Sequence, residues 1–226
     1  MQWPGFQLKS VDVSGTHATT REDVLAAAAF GRHPNIWLVN VGAARRRIEA
    51  LPFVHTAKLT RIPPSTISVV VTERVPDGCV VGAGGGVGLV DPEGRVLSDA
   101  CPGGPLPSFE LPSQVIPSPG QFIHSAALAS LQGDAGALRT AGTPYRSLRF
   151  DRFGQLDATL PDGIVVHFGD ETDLEAKARL VDPIVRTAQA RLGTVQSVDL
   201  RAPGTPVVRY GDGATAKQSP PPAKKP

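Results

Sequence analysis

The sequence of 226 residues has neither a strong charge excess nor a long apolar run. Its 23 Lys and Arg and 21 Asp and Glu leave a net charge of +2. This is far from the concentrated positive face that nucleic-acid binding needs, so we expect no nucleic-acid partner. No stretch approaches the roughly 18 consecutive apolar residues that span a bilayer, and the first residues lack the basic and apolar regions of a signal peptide. Because the chain begins abruptly ahead of an ordered-looking strand pattern, we expect it to be a piece of a longer protein.

Motifs for catalysis, metal binding and phosphate binding are also missing. The glycine-rich run 82–88 lacks the Gly-Lys-Ser/Thr ending of a phosphate loop and precedes a strand pattern, so we interpret it as a hairpin tip. The five histidines are isolated, with no second ligand at metal-binding spacing. Neither cysteine has a nearby histidine, and no Gly-x-Ser-x-Gly elbow occurs. We therefore predict no catalytic residue, no metal, no cofactor and no enzymatic activity.

The chain does contain much glycine and proline, 24 and 22 residues, which favours strands and turns over helices. In the first 75 residues, alternation and capping patterns predict the order strand, helix, helix, strand, strand. The expected bounds are a strand over 6–14, helices from Thr20 to about 30 and from Asn40 to 51, and strands over 54–61 and 66–73.

Three consecutive arginines, Arg45, Arg46 and Arg47, lie in the middle of the second predicted helix. One interpretation is a contact with anionic lipid close to a membrane surface. The interpretation we favour is a solvated helix face.

The composition changes near residues 75–77, where we expect a domain boundary. Beyond it we predict strands at 79–81, 88–90 and 95–97, an extended loop over 102–120, a short helix over 126–131, antiparallel strands over 147–153, 155–160 and 164–168, a helix over 173–192 capped by Thr172, and closing strands over 195–201 and 206–210. The tail, rich in proline and lysine, is predicted to be disordered.

Cys79 and Cys101 are the 2 cysteines of the chain. They either form a disulfide, which requires an oxidising compartment, or remain two buried thiols. If they pair, the closed loop of about 22 residues restricts the unfolded chain by roughly 3 kcal/mol.

The first 75 residues resemble a POTRA domain of the FtsQ/DivIB type. The resemblance is carried by Phe6-x-Leu8-x-x-Val11-x-Val13-x-Gly15, Asn35-Ile36-Trp37, Leu51-Pro52-x-Val54 and Ile67-x-Val69-x-Val71-x-Glu73-Arg74-x-Pro76. Each element is weak by itself, but their order and spacing together are specific.

The remainder resembles the β domain that follows POTRA in the same family. The matching elements are Leu89-Val90-Asp91-x-x-Gly94-x-Val96-Leu97, Leu106-Pro107, Asp162-Gly163-Ile164-x-Val166-x-Phe168-Gly169 followed by Lys177, and Val198-Asp199-Leu200-Arg201. The resemblance implies an α+β fold, with an N-terminal POTRA domain (β-α-α-β-β) over 6–75. A mixed, mainly antiparallel β domain with a long helix near its C-terminal end is expected over 76–210, and a disordered tail over 211–226.

The family that the chain resembles is non-catalytic and bridges early and late division proteins at the septum. The resemblance implies that the β domain binds FtsB and FtsL, with FtsW and FtsI acting downstream, and that POTRA serves localisation by contacting an upstream division protein. It also implies a single-pass protein of the cytoplasmic membrane, with this region extracytoplasmic and a transmembrane helix that is missing from this chain. A POTRA-bearing component of a transport or secretion system is the alternative, and it predicts repeated POTRA units that the sequence lacks.

In the family, the FtsB segment adds as a strand to the edge of the β domain near its C-terminus. The resemblance therefore implies partner contacts at Arg201, Ala202, Pro203, Val207, Val208, Arg209 and Tyr210. Arg201 matches the family's motif arginine and is expected to pair with an acidic partner side chain. Ala202 and Pro203 stand where the family often has an aromatic residue, so Val207, Val208 and Tyr210 would supply the apolar contacts. The alternative is an edge strand held only by its own sheet.

Overall fold

The structure, a computed structural model, describes residues 6–31 and 34–211. Its helices are α1 Arg21–Ala28, α2 Val41–Glu49, α3 Ala126–Ala141 and α4 Leu174–Leu192. Its strands are β1 Ser10–Ser14, β2 Val54–Ile62, β3 Thr66–Glu73, β4 Gly78–Val81, β5 Val87–Val90, β6 Val96–Ser98, β7 Ser108–Glu110, β8 Ser147–Phe150, β9 Leu156–Thr159, β10 Val165–Gly169, β11 Val195–Asp199 and β12 Val207–Tyr210.

The chain forms two compact units that do not follow chain order throughout. The first unit contains the described residues up to Asp77 together with 87–102 and 115–124. The second contains 78–86, 103–114 and the described residues from Ser125 onward. The units are not divided at a single point of the chain, because the β5–β6 hairpin belongs to the first unit. The domain boundary expected near residues 75–77 therefore stays a prediction.

In the first unit, two helices cover a three-stranded sheet of order β1-β3-β2. β1 runs parallel to β3, and β2 runs antiparallel to it. The order strand, helix, helix, strand, strand is therefore confirmed. The apolar core joins the inner faces of both helices to the sheet through Val24, Ala28, Ala44, Ile48, Val54, Ala57, Ile67, Val69 and Val71.

Two local features explain why this part of the sequence folds as it does. The Thr20 hydroxyl and the Asp23 carboxylate form a capping box that starts α1. Gly15 has a φ of +82°, and a Cβ at that position would lie 2.0 Å from the carbonyl oxygen of Val71. Only glycine fits there, which accounts for the glycine that ends the first strand.

Two of the three arginines of α2, Arg45 and Arg47, have separate structural contacts. Arg47 donates to the carbonyl oxygens of Ala27 and Ala28, at the end of α1. Arg45 pairs with Glu49 one turn later, at 3.3 Å. Both contacts lie on the helix surface and neither requires a lipid, which favours the solvated-face interpretation.

A partly buried ion network ties the β5–β6 hairpin to the rest of the first unit. Arg74 Nη1 lies 2.6 Å from Asp91 Oδ2 and 2.7 Å from Glu93 Oε2. Arg95 Nη2 donates to the carbonyl oxygens of residues 49–51 at 3.0 to 3.3 Å, where it caps the end of α2. This network thus gives the arginine of the Arg74-x-Pro76 element a structural role.

The second unit is built on a sheet whose strands follow the order β12-β11-β10-β9-β8-β7-β4. The pairs β4–β7, β7–β8 and β10–β11 are parallel, whereas β8–β9, β9–β10 and β11–β12 are antiparallel. Helix α4 connects β10 to β11 and packs on both, and α3 packs on α4 and β8. The predicted α+β fold, a POTRA-like sheet with helices followed by a mixed sheet and a long helix, is confirmed.

Part of the predicted loop over 102–120 is a strand. The three residues Ser-Phe-Glu of β7 pair in parallel with β4 and β8, and the Phe109 side chain is fully buried. Prolines at 107 and 112 flank β7 closely without interrupting its hydrogen bonds. The flanking prolines indicated a loop, whereas burial of the central residue stabilises a strand here.

Two helix predictions were wrong in detail. Helix α3 continues to Ala141 through Gly133 and Gly136, because buried side chains on one face, including Leu131 and Leu138, hold it against α4. The N-cap of α4 is Asp173, with a φ of 54°, rather than Thr172.

The structure holds both Cys79 and Cys101 in the disulfide-bonded form, with no free cysteine. Among the described residues, no helix is both long enough and apolar enough to cross a membrane. The tail prediction falls on residues 212–226, which lie outside the described residues.

Candidate partner-binding edge

β12 is the last strand of the second unit's sheet. It pairs with β11 on one side, and no described strand pairs with its other side. The backbone N–H and C=O groups along that outer side are therefore available to an added strand. The family resemblance implies partner contacts at this edge, and that assignment stays a prediction.

The register of β12 divides its residues between two faces. Val207 lies opposite Asp199 and Arg209 lies opposite Ser197, so these two side chains share one face. Val208 lies opposite Val198, which is fully buried on the face that α4 covers. Val207 is 57% exposed, whereas Val208 is half-buried.

The first of these faces carries a polar groove of about 410 Å³. It is lined by Asp151, Gln155, Asp157, His167, Ser197, Asp199, Arg201, Val207 and Arg209. These residues come from the β8–β9 turn and from neighbouring strands, which alternate so that one side chain in two points into the groove. The groove thus lies directly beside the open edge.

The inner end of the groove is held by a buried carboxylate. Asp157 Oδ1 lies 2.6 Å from His167 Nδ1, and Asp157 Oδ2 lies 3.3 Å from Arg149 Nη2. His167, one of the five isolated histidines, is thus a hydrogen-bonded imidazole on a sheet face. Its partner position could be inferred from sequence only once the β9–β10 register was known.

Near the edge, Arg201 is fixed by Asp199. Its Nε lies 3.0 Å from Oδ1, and its Nη2 lies 2.5 Å from Oδ2, while its backbone N–H also donates to Oδ1 at 3.0 Å. The hydrogen bond from Arg201 lowers the pKa of Asp199 despite partial burial, and the pKa of Arg201 rises in return. The Asp and Arg of the Asp-Leu-Arg element therefore bind each other in this structure.

Close packing around Arg201 explains a neighbouring glycine. A Cβ on Gly169, at a φ of +81°, would lie 2.9 Å from Cγ of Arg201. Ala202 and Pro203 lie exposed in the turn between β11 and β12, where the Thr205 N–H donates to the Ala202 carbonyl at 3.0 Å.

The structure brings some of the predicted contact residues together and separates others. Arg201, Val207 and Arg209 line the groove, whereas Val208 and Tyr210 lie on the other face of β12. Ala202 and Pro203 are in the connecting turn. The acidic residues of the groove were missed, because only the strand register places them beside β12.

No metal centre is present in the part of the chain that the structure describes, since nowhere in it do three or more His, Cys, Asp or Glu side chains gather closely enough to hold an ion.

Comparison with known families accounts for nearly all of the described chain. The model of the POTRA domain, FtsQ-type, matches residues 6–74. The model of the cell division protein FtsQ/DivIB, C-terminal, matches residues 79–201 and so covers more than half of the 226 residues. The chain belongs to the FtsQ/DivIB family. The resemblance inferred from the sequence elements is thereby confirmed.

Individual relatives agree with the family assignment. The cell division protein FtsQ of Caulobacter vibrioides is 28% identical over 214 residues, which cover 95% of this chain and 68% of the relative. That of Mycobacteroides abscessus is 27% identical over 197 residues, 87% of this chain and 61% of the relative. That of Myxococcus fulvus is 33% identical over 100 residues, 44% and 34% respectively. The chain thus spans between 34% and 68% of the length of these FtsQ relatives.

Proposed function

We propose that this chain is a non-catalytic scaffold of the cell-division machinery that binds a partner segment by strand addition at the open edge of β12. Following the family resemblance, the partner is the extracytoplasmic part of FtsB with FtsL, and FtsW and FtsI are reached indirectly. The protein would act at the division septum, anchored in the cytoplasmic membrane with this region outside.

The observation that carries the proposal is the unpaired outer side of β12. Natural proteins protect exposed edge strands with prolines, inward charges or a covering segment, because an open edge otherwise pairs with any available strand. β12 has the sequence Val-Val-Arg-Tyr, without proline, and two of its four residues are β-branched. Such an edge is suited to an extended partner segment, for which main-chain hydrogen bonds supply affinity.

Side chains beside the edge would supply specificity. Val207 offers an exposed apolar contact next to the groove. Arg209 forms no ion pair with another described residue, whereas Arg201 is already paired with Asp199. An acidic partner side chain would therefore meet Arg209 first, and Arg201 would have to leave Asp199 to join it.

The half-buried positions of Val208 and Tyr210 assign them a different role in this proposal. Val208 packs toward the face that α4 covers, so a charge there would damage the sheet itself. A substitution at Val208 would not separate loss of binding from loss of folding. Val207 is the better probe of the edge.

The test is binding of the extracytoplasmic segment of FtsB to the chain and to its Val207→Asp variant. We expect at least a tenfold weaker affinity for the variant, because a charge replaces an apolar contact beside the added strand. Val87→Asp is the matched control, since Val87 is 38% exposed on β5 of the other unit. Equal binding by all three chains, with unchanged circular dichroism, would remove β12 from the site.

A further inference from the structure

A carboxyl group on α3 is buried without a partner that explains its burial. Asp134 is 6% exposed, and its Oδ2 has no hydrogen-bond partner among the described residues. Buried polar groups in proteins are nearly always hydrogen-bonded, because a buried group without a partner loses its interactions with water. An ionised Asp134 therefore destabilises its own surroundings.

The helix that carries Asp134 is firmly packed. Leu131, Ala135 and Leu138 of α3 are 0% exposed, and α3 packs on α4 and β8. Ser130 lies one helical turn before Asp134, on the same face of the helix. Because a displacement of α3 would expose these apolar side chains, α3 is the rigid side of the arrangement.

An acidic segment lies next to this part of α3. Residues 170–173, with the sequence Asp-Glu-Thr-Asp, connect β10 to α4 and are all exposed. We call them the acidic turn. The Ser130 hydroxyl lies 2.9 Å from Glu171 Oε1, and the charge of Glu171 acts on Asp134. Ser130 thus holds a second carboxylate in the neighbourhood of Asp134.

No described cation offsets these two carboxylates. Burial, with a smaller contribution from Glu171, raises the pKa of Asp134 to about 6, and no positive charge opposes this rise. The buried ammonium of Lys177 on α4 lies 3.0 to 3.1 Å from the carbonyl oxygens of Phe168 and Asp170 and from Asp170 Oδ1. Other charged side chains on α3, α4 and β8 have partners of their own, which are Arg139 with the Tyr145 hydroxyl, Arg149 with Asp157 and Glu175 with Arg179.

The acidic turn is anchored at its first residue. Asp170 is held by Lys177, and its Oδ1 also accepts the N–H of Thr172 at 3.3 Å. Asp173 has a φ of 54°, which is costly for a residue other than glycine. Since residues 171–173 are exposed and α3 is not, repulsion between Glu171 and Asp134 would move the turn and leave the helix in place.

We propose that Asp134, Ser130 and Glu171 form a pH-sensitive switch that closes and opens the acidic turn. With Asp134 protonated, the hydrogen bond between Ser130 and Glu171 holds the turn on α3. With Asp134 ionised, two like charges repel each other beside a buried surface, Glu171 leaves Ser130, and water reaches Asp134. The switch goes beyond the proposed function and does not depend on it.

The experiment is hydrogen exchange of the full chain at about pH 5 and about pH 8, corrected for the intrinsic pH dependence of exchange. The ionised fraction of a carboxyl group with a pKa of about 6 rises about tenfold between these values, so we expect about tenfold less protection at pH 8 in peptides over residues 169–177. These peptides contain the amides of Thr172, Leu174 and Lys177, which are hydrogen-bonded within the turn. Peptides over residues 178–188 should keep their protection.

Three variants separate the switch from other effects of pH. Asp134→Asn keeps the shape of the side chain without its charge, so the turn should stay protected at pH 8. Glu171→Gln, at an exposed position, should give a smaller pH response with an unchanged fold. The matched control is Asp182→Asn on α4, because Asp182 is 66% exposed and pairs with Arg186. This variant should respond to pH as the parent does.

Three results would overturn the inference. The first is equal corrected protection of residues 169–177 at both pH values in the parent chain. The second is a pH response that Asp134→Asn retains in full. The third is a loss of protection that is the same in all peptides of the second unit, since pH would then act on global stability and not on the acidic turn.

Discussion

Two ion pairs with similar geometry have opposite surroundings in the two units. Arg74 and Asp91 in the first unit lie 2.6 Å apart, with side chains that are 9% and 3% exposed. Arg201 and Asp199 in the second lie 2.5 Å apart, with side chains that are 55% and 26% exposed. Burial, and not distance, decides the cost of losing a partner. We therefore expect the first pair to stabilise the fold, and we propose that the second can exchange with a binding partner.

The largest expected effect is at the buried pair. Asp91→Ala leaves the exposed Glu93 as the one carboxylate paired with Arg74 among the described residues, and it removes the acceptor for the N–H groups of Glu93 and Arg95. We expect a loss of about 3–5 kcal/mol in the free energy of unfolding, measured by denaturant titration.

Glu93→Ala is the control for this change, since it removes the other acid from the same arginine. The side chain of Glu93 is 55% exposed, so its loss should shift the unfolding midpoint far less. If Asp91→Ala and Glu93→Ala have the same free energy of unfolding, burial does not decide how much an ion pair contributes to stability.

A buried carboxyl without a counter-charge sharpens the comparison. Asp134 on α3 is 6% exposed, and its Oδ2 has no hydrogen-bond partner among the described residues. Burial, with a smaller contribution from Glu171, raises the pKa of Asp134 from 3.8 to about 6. Between about pH 4 and about pH 7 the folded chain binds more protons than the unfolded chain. The free energy of unfolding therefore falls as the pH rises through this range.

Asp134→Asn should remove this fall in the free energy of unfolding with rising pH. The variant is expected to be more stable than the parent at pH 8, by on the order of 1–3 kcal/mol, with the difference vanishing near pH 4. Denaturant titrations across this pH range measure it, and Glu171→Gln should move the inflection of the parent's curve to lower pH without abolishing it. A parent and an Asp134→Asn variant with parallel curves would show that Asp134 keeps an ordinary pKa.

The smallest expected effect is at the exposed pair. Arg201→Ala removes a well-formed contact with Asp199, yet the thermal midpoint should change by less than about 2 °C, because exposed ion pairs contribute little to stability. Differential scanning calorimetry checks this. A shift of the thermal midpoint as large as that of Asp91→Ala would mean that Arg201 has a structural role and is not available to a partner.

Much of the fold was predictable because local signals agreed with tertiary packing. The Thr20 capping box and the β-branched run of β3 placed elements within a residue or two of their observed bounds. The failures share a cause: β7 and the second half of α3 are stabilised by burial of Phe109 and Leu138, while their own glycines and prolines indicate loops. Such elements form only because the rest of the unit covers them.

The candidate site was predictable as an edge but not as a surface. The family resemblance implied an edge near the C-terminus, which stays a prediction, and Arg201, Val207 and Arg209 line one groove beside that edge. The assignment of Val208 to the opposite face, and the pairing of Asp157 with His167, depend on strand register. Register is a long-range property that one sequence does not reveal.

The most direct test of strand addition is hydrogen exchange of the backbone amides of β12. On addition of the FtsB segment, we predict slower exchange in peptides covering residues 206–211. Peptides covering β11, which β10 and β12 already pair on both sides, should show no change. Binding without any added protection over residues 206–211 would contradict the account.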